Sequence, residues 1–181
     1  MSRCRKGRNC SMSLAEELLE QARFLASLDP HSSKQANLRR AVSAAYYAVF
    51  HLFSAEVAAQ VSPLGPIGLR ERTQRALDHK SMYKVAHAFS LSGARPSNLP
   101  SDINLPEQLS PELVSISKGF KRLQEERHAA DYDVTQIFGR RKVLELVEIA
   151  ESIFQDWNKE RTSKNAPVFL ASLMFWNLWN K

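Results

Sequence analysis

Arg39-Arg40-Ala41-Val42-Ser43-Ala44-Ala45-Tyr46-Tyr47-Ala48-Val49-Phe50-His51 is the stretch whose reading decides the fold. It contains no Gly or Pro. Together with Leu38 and Phe53, its apolar residues recur every three or four positions (Leu38, Val42, Ala45, Val49, Phe53), the period of one helix face. Ala41, Ala44, Ala45 and Ala48 are small enough for a neighbouring helix to approach closely. The spacing predicts a long helix over about Ser33 to Gln60. Pro63, Gly65, Pro66 and Gly68 break the chain after it.

The flanking sequence repeats this pattern. Ser13 precedes Glu16 at capping-box spacing, and Leu14, Leu18, Ala22 and Leu25 continue a first helix, stopped by Asp29-Pro30. A third helix is predicted from Leu69 to Leu91, on a stripe of Leu77, Val85 and Phe89. A connection rich in proline, Ser92 to Ser110, has no period and reads as a loop. Ser110-Pro111-Glu112 combines a serine cap, a first-turn proline and an acid at the positive end of the helix dipole, so a fourth helix runs to Asp131. A fifth is expected from Thr135 to Arg161, along Val143, Leu146, Val147, Ala150, Ile153 and Phe154. Pro167 introduces an apolar tail, Val168 to Trp179, shorter than the ~20 residues of a membrane span.

Strand-like runs are scarce, which disfavours a sandwich or barrel. The fold expected is an all-α helical bundle of four to five long helices plus an apolar C-terminal helix. Residues 1–12 read as a basic arm, 13–162 as the bundle, and 163–181 as a segment docked on the bundle or on a second copy.

The 181 residues carry 25 basic and 19 acidic side chains, net +6. Arg3, Arg5, Lys6 and Arg8 supply four of those charges without a neighbouring acid, leaving +2 for the remainder. The basic balance is therefore largely a property of the arm. Cys4 and Cys10 stand in it without a third cysteine to build a zinc site or a disulfide framework. No export signal is read, and a cytoplasmic address is expected.

Phosphate-binding glycine loops, His-Glu-x-x-His and Gly-x-Ser-x-Gly patterns are missing from the sequence. His79 and His87 lack matching acids, so no metal site and no cofactor are expected. Tyr47 and His51, four apart, share a helix face and form a candidate binding pair beside Tyr46. The densest polar cluster is Lys121-Arg122-Leu123-Gln124-Glu125-Glu126-Arg127-His128-Ala129-Ala130-Asp131-Tyr132-Asp133. In it, Arg127 can pair with Asp131, and His128 with Tyr132, one turn apart. Arg122 and His128 are six apart, about 120° out of line on a straight helix.

Two of these segments resemble elements of HEPN-domain proteins. The quoted Arg39–His51 stretch looks like the second-helix signature of that superfamily. Arg127-His128-Ala129-Ala130-Asp131-Tyr132-Asp133 looks like the Arg-x-x-Ala-Asp-Tyr element of an uncharacterised branch. The likeness spans about residues 13–160. It implies a helical bundle, often dimeric, and frequently a metal-independent ribonuclease of toxin–antitoxin, phage-defence or RNA-processing systems. The family's active motif is Arg, four to six residues, then His. Arg122 and His128 satisfy it as candidate catalytic residues, with Arg127, Asp131, Tyr132, Tyr47 and His51 as binding residues. Leu123 stands where a polar residue usually follows the Arg, and Asp131-Tyr132 stand where a His-x-Tyr ending is usual.

The resemblance implies attack of an RNA 2′-hydroxyl on the adjacent phosphate. His128 would transfer the proton, and Arg122 or Arg127 would offset the phosphorane charge. The expected partners are a second copy of the chain and RNA or a nucleotide. The alternative reading is a non-catalytic helical module that pairs with a minimal nucleotidyltransferase. A membrane is disfavoured as a partner, because few basic residues flank the apolar tail.

Overall fold

The computed structural model describes residues 12–28, 34–91, 93–106 and 108–181. Residues 1–11 of the basic arm with its cysteines, the Asp29-Pro30 stop and Ser33 lie outside the described residues. Among the described residues the chain forms seven helices and no strand, apart from one bridge between Ala94 and Gln108.

The capping box of α1 (Leu14–Ser27) forms as its sequence demands: Ser13 N–H donates to Glu16 Oε2 at 2.8 Å and Glu16 N–H to Ser13 Oγ at 3.3 Å. Helix α2 (Gln35–Val61) is the axis of the bundle. Apolar side chains on nearly all its faces are buried, as for a helix surrounded by others. Helix α1 packs on it most extensively, with Ala41, Ala44, Ala45 and Ala48 all buried. Helix α2 is also the one described helix long and apolar enough to cross a membrane, but 72% of the qualifying window is buried inside the bundle.

The predicted third helix is two helices, α3 (Ile67–Ala76) and α4 (His79–Ser90). The break has a local cause. Asp78 leaves the helical conformation and caps α4, accepting from Ser81 N–H at 2.9 Å and from its hydroxyl at 2.5 Å. Leu77 between the helices is buried, so the kink turns an apolar anchor inward. This split raises the helix number above the expected four to five plus a tail.

Residues 93–106 and 108–109 of the connection are held by their own contacts. Leu99, Leu105 and Leu109 are buried. Arg95 donates to the carbonyls of Leu99 and Pro100 at 3.1 and 2.7 Å, and Leu109 N–H closes the loop on Gly93 O at 2.8 Å. Gly93 has φ +69°, the left-handed conformation that glycine adopts without a Cβ penalty.

Helix α5 (Pro111–Tyr132) starts on the Ser110 cap as predicted. Helix α6 (Arg140–Glu160) starts five residues later than Thr135. The delay arises because Asp133 Oδ1 accepts from Thr135 N–H and Oγ1 at 2.9 and 2.7 Å, an Asx turn that competes with helix. Helix α2 clamps this turn. Arg39 donates to the carbonyls of Ala130, Asp133 and Gln136, and the Gln35 amide exchanges two hydrogen bonds with the Phe138 backbone.

The apolar tail is α7 (Asn165–Trp179), seated on α4 and α2 of its own chain. Phe169, Leu170, Leu173 and Trp176 are buried there. Phe53, Phe89 and Trp157 each meet Phe169 at ring-centroid distances of 5.3 to 6.3 Å. A buried carboxylate locks the joint: Glu160 accepts from Ser110 Oγ at 2.7 Å and from Ser163 Oγ, tying the start of α5 to the turn into α7.

Candidate functional site

Polar side chains gather where the second half of α5 crosses the middle of α2, next to the start of α4. Arg127 is the centre. Its NH2 donates to Tyr47 Oη at 2.6 Å, and its Nε lies 2.7 Å from Asp131 Oδ2. The Nε–H is not aimed along that short line, so this is an ion pair rather than a well-formed hydrogen bond. The guanidinium also lies 5.2 to 5.8 Å from the ring centroids of Tyr46, Tyr47 and Tyr132. Burial works against its charge, but Tyr47, Asp131 and Tyr132 outweigh that and raise its pKa. Asp131 in turn accepts from Ser43 Oγ at 2.5 Å.

Behind this network Tyr46 is fully buried, and burial raises the pKa of its phenol strongly. Its hydroxyl lies 2.7 Å from His79 Nδ1. Burial and the nearby Arg127 lower the pKa of His79, against the opposing pull of Asp78. A neutral imidazole protonated on Nε2 leaves Nδ1 free to accept from the phenol, and that tautomer satisfies both groups.

In front lies a cavity of about 330 Å³ between α4 and α5, lined by Tyr83, Gln124, Glu125, Arg127 and His128. Gln124 Nε2 donates to His79 O at 2.8 Å, leaving its buried Oε1 without a partner among the described residues. Tyr83 donates to Glu125 at 2.7 Å, and Lys121 pairs with Glu125 at 2.9 Å. Although burial opposes it, these two hydrogen bonds hold the Glu125 carboxyl below its usual range. A second depression of about 550 Å³ adjoins the end of α5, where Arg39, Arg40, Asp131 and Tyr132 contribute.

No protein-family model, curated protein or solved structure matches this chain.

The structure thus brings together four of the sequence-derived residues: Arg127 with Tyr47 and Asp131, and Tyr132 over the guanidinium. His128 is exposed beside them, its ring 5.0 Å from that of Tyr132. His51 is separate. It stands against Phe50 and lines a depression with Glu56 and Gln74 on the α3 side; burial lowers its pKa.

Arg122 is separate as well. It leans toward α6, 3.9 Å from Glu145, and borders a different cavity with Lys118 and Ile149. Lys118, Arg122, Glu125, His128 and Tyr132 are all exposed. At 100° per residue they fall in one solvent-facing arc of roughly 120°. Arg122 marks its α6 margin and His128 its α4 margin. Leu123, next to Arg122, is fully buried, which is why no polar residue stands there.

Sequence reading missed Ser43, Tyr83, Gln124 and Glu125 as parts of the site, and treated His79 only as a metal candidate. The Ser43–Asp131 bond spans 88 positions and the Tyr83–Glu125 bond 42, so no local spacing advertises either. Among the described residues no group of three or more His, Cys, Asp or Glu side chains is placed to hold a metal ion.

Proposed function

We propose that this chain is a HEPN-type RNA- or nucleotide-binding protein, active as a homodimeric, metal-independent endoribonuclease. One observation carries the reading: Arg122 and His128, the motif pair, are both exposed and sit at opposite margins of the open arc of α5. Within one chain they do not converge. Two copies of α5 crossing antiparallel about a dyad at Glu125 would set Arg122 of one opposite His128 of the other, because both are three positions from Glu125. Lys121, paired with Glu125 in each copy, offsets the repulsion of the two carboxylates at the dyad.

In that composite site the RNA 2′-oxygen bonds to the adjacent phosphorus and the P–O5′ bond breaks, giving a 2′,3′-cyclic phosphate and a 5′-hydroxyl. His128 transfers the proton, and Arg122 offsets charge on the phosphorane oxygens. Arg127, fixed by Tyr47 and Asp131, holds a neighbouring phosphate, and exposed Tyr132 offers a face for a base. The residues supply both acid–base and charge functions, so no cofactor is invoked. The setting proposed from the resemblance is a cytoplasmic toxin–antitoxin or defence system.

The test is RNA cleavage in EDTA by Arg122→Ala, by His128→Ala and by their mixture. Each variant alone should be inactive. Mixed and re-equilibrated, half of the dimers are hybrids with one intact composite site, so about a quarter of wild-type activity should return. A mixture that stays inactive while wild type cleaves sinks the composite site.

The second reading is a non-catalytic module partnering a nucleotidyltransferase. It is favoured by one feature: Arg127, the best-built cation here, is occupied by internal partners. Wild-type protein that binds RNA or a nucleotidyltransferase without cleaving would select it.

A further inference from the structure

Helix α4, the start of the 93–109 connection and the end of α7 enclose a cavity of about 630 Å³ that no residue of α5 lines. Its size is that of a small-ligand pocket. Tyr83 is a wall both of this cavity and of the one that holds Arg127 and His128, so the two adjoin.

Internal bonds hold its walls in place. Asn177 of α7 accepts from Lys84 Nζ at 3.0 Å and donates to Ser81 Oγ, tying α7 to α4. Asn180 Nδ2 donates to Trp176 O at 2.9 Å. On the connection, Arg95 is pinned by the carbonyls of Leu99 and Pro100. Trp176 is buried against Phe89, with ring centroids 6.4 Å apart, and gives the cavity an apolar surface.

Two features of the lining choose the ligand. The first is aromatic. Tyr83 and His87, one turn apart on α4, hold their rings within 4° of parallel at a centroid distance of 6.3 Å. Such rings offer faces on which a planar base stacks. The second is charge. Lys84 and Arg95 reach the cavity from separate segments, and none of its described lining residues is Asp or Glu. Lys84 spends one N–H on Asn177, leaving the others without an acceptor among the described residues. Exposed Ser97 and Asn98 add hydrogen-bonding groups. The larger cavity beside Arg122 has cations but no aromatic side chain, so it lacks the stacking half of this chemistry.

We propose that this cavity binds the base and phosphate of a ribonucleotide, either a free nucleoside monophosphate or one unit of an RNA strand continuing past His128. The base stacks on Tyr83 and His87, and the phosphate meets Lys84 and Arg95. The choice of a ribonucleotide rests on the function proposed above, whereas the demand for a planar anion comes from the lining alone.

Isothermal titration of the full chain with AMP, adenosine and inorganic phosphate tests this. AMP should bind. Adenosine should bind at least about tenfold more weakly, having lost its charged acceptor, and phosphate likewise, having lost the stacked base. Lys84→Glu should weaken AMP at least about tenfold and leave adenosine unchanged. His87→Ala should weaken both ligands. Lys84 and His87 are exposed, so thermal midpoints should stay at the wild-type value in both variants. A short single-stranded RNA separates the two sources. A strand that enters the cavity competes with AMP and is weakened by the same variants; if only the free nucleotide enters, RNA leaves AMP binding untouched. AMP binding that ignores both variants overturns the proposal. So does absence of AMP binding together with RNA binding that ignores them, and normal RNA cleavage in that case would leave the ribonuclease reading standing. AMP binding as expected in a protein that never cleaves RNA would keep the cavity and sink the ribonuclease.

Discussion

Replacing Arg127 by alanine measures what the central cluster contributes. The Arg127 side chain is 15% exposed and that of Asp131 20%, so water screens their interaction only in part. The substitution removes one hydrogen bond from a charged donor to Tyr47 at 2.6 Å, about 1.5–3 kcal/mol. It also removes an ion pair with imperfect N–H alignment, about 1 kcal/mol, and three aromatic contacts at about 0.5–1 kcal/mol each. These share one guanidinium and are not additive. Desolvating the arginine offsets part of the sum, so a loss of about 2–4 kcal/mol is expected. For a chain of this size that lowers the thermal midpoint by roughly 5–15 °C.

Urea unfolding followed by circular dichroism gives the free energy, and a cycle with Tyr47→Phe isolates their bond. The coupling should be about 1–2 kcal/mol. Arg127→Lys should recover less than half of the loss, since an ammonium cannot meet Tyr47, Asp131 and three rings in one geometry. An Arg127→Ala protein within about 0.5 kcal/mol of wild type would refute the reasoning. It would mean that the arginine is held at a cost for a ligand rather than contributing to the fold.

Two further outcomes follow from the packing. Glu160→Ala should destabilise by about 2–4 kcal/mol, because the buried carboxylate accepts from Ser110 and Ser163 at the junction of three helices; an unchanged urea midpoint would contradict that. Stability should also fall as pH drops below the ordinary histidine range. The folded pKa of His79 and of His51 is depressed by burial, so the unfolded chain takes up protons first. This contribution is intact above about pH 6.5 and is lost as pH falls toward the lowered folded values. Thermal melts from neutral pH to about pH 5 should show a shallower decline for His79→Asn than for wild type, and identical slopes would exclude His79 as a source.

Much of the fold was legible because its signals are local. The Ser13 and Ser110 caps, the apolar period of Leu38 to Phe53 and the proline in the first turn of α5 each act within a few residues. The misread points were also local but in competition. Asp78 can stand within a helix or cap one, and it caps because Leu77 finds a buried position. Thr135 looked like a helix start, yet Asp133 held it in a turn that Arg39 then clamps from α2. The site was half legible: Arg127–Asp131 and His128–Tyr132 are one-turn pairs, whereas Ser43, His79, Tyr83 and Gln124 reach it only by tertiary packing.

By itself, the sequence determined the helical class, because cap chemistry and a 3.6-residue period need no distant partner. It also determined that four of the six excess positive charges belong to the first ten residues. Only the tertiary structure decided which way each polar side chain faces. Arg122 and His128 satisfy a motif spacing, but 120° of helical rotation sends one toward α6 and the other toward α4. The apolar tail could have met a membrane, a second copy or its own bundle, and it covers α2 and α4 because Phe53, Phe89 and Trp157 form the surface that Phe169 fills. An exposed aliphatic tip was not singled out by the sequence: Leu64 and Ile67 stand in the break after α2, and only the folded turn leaves them in water.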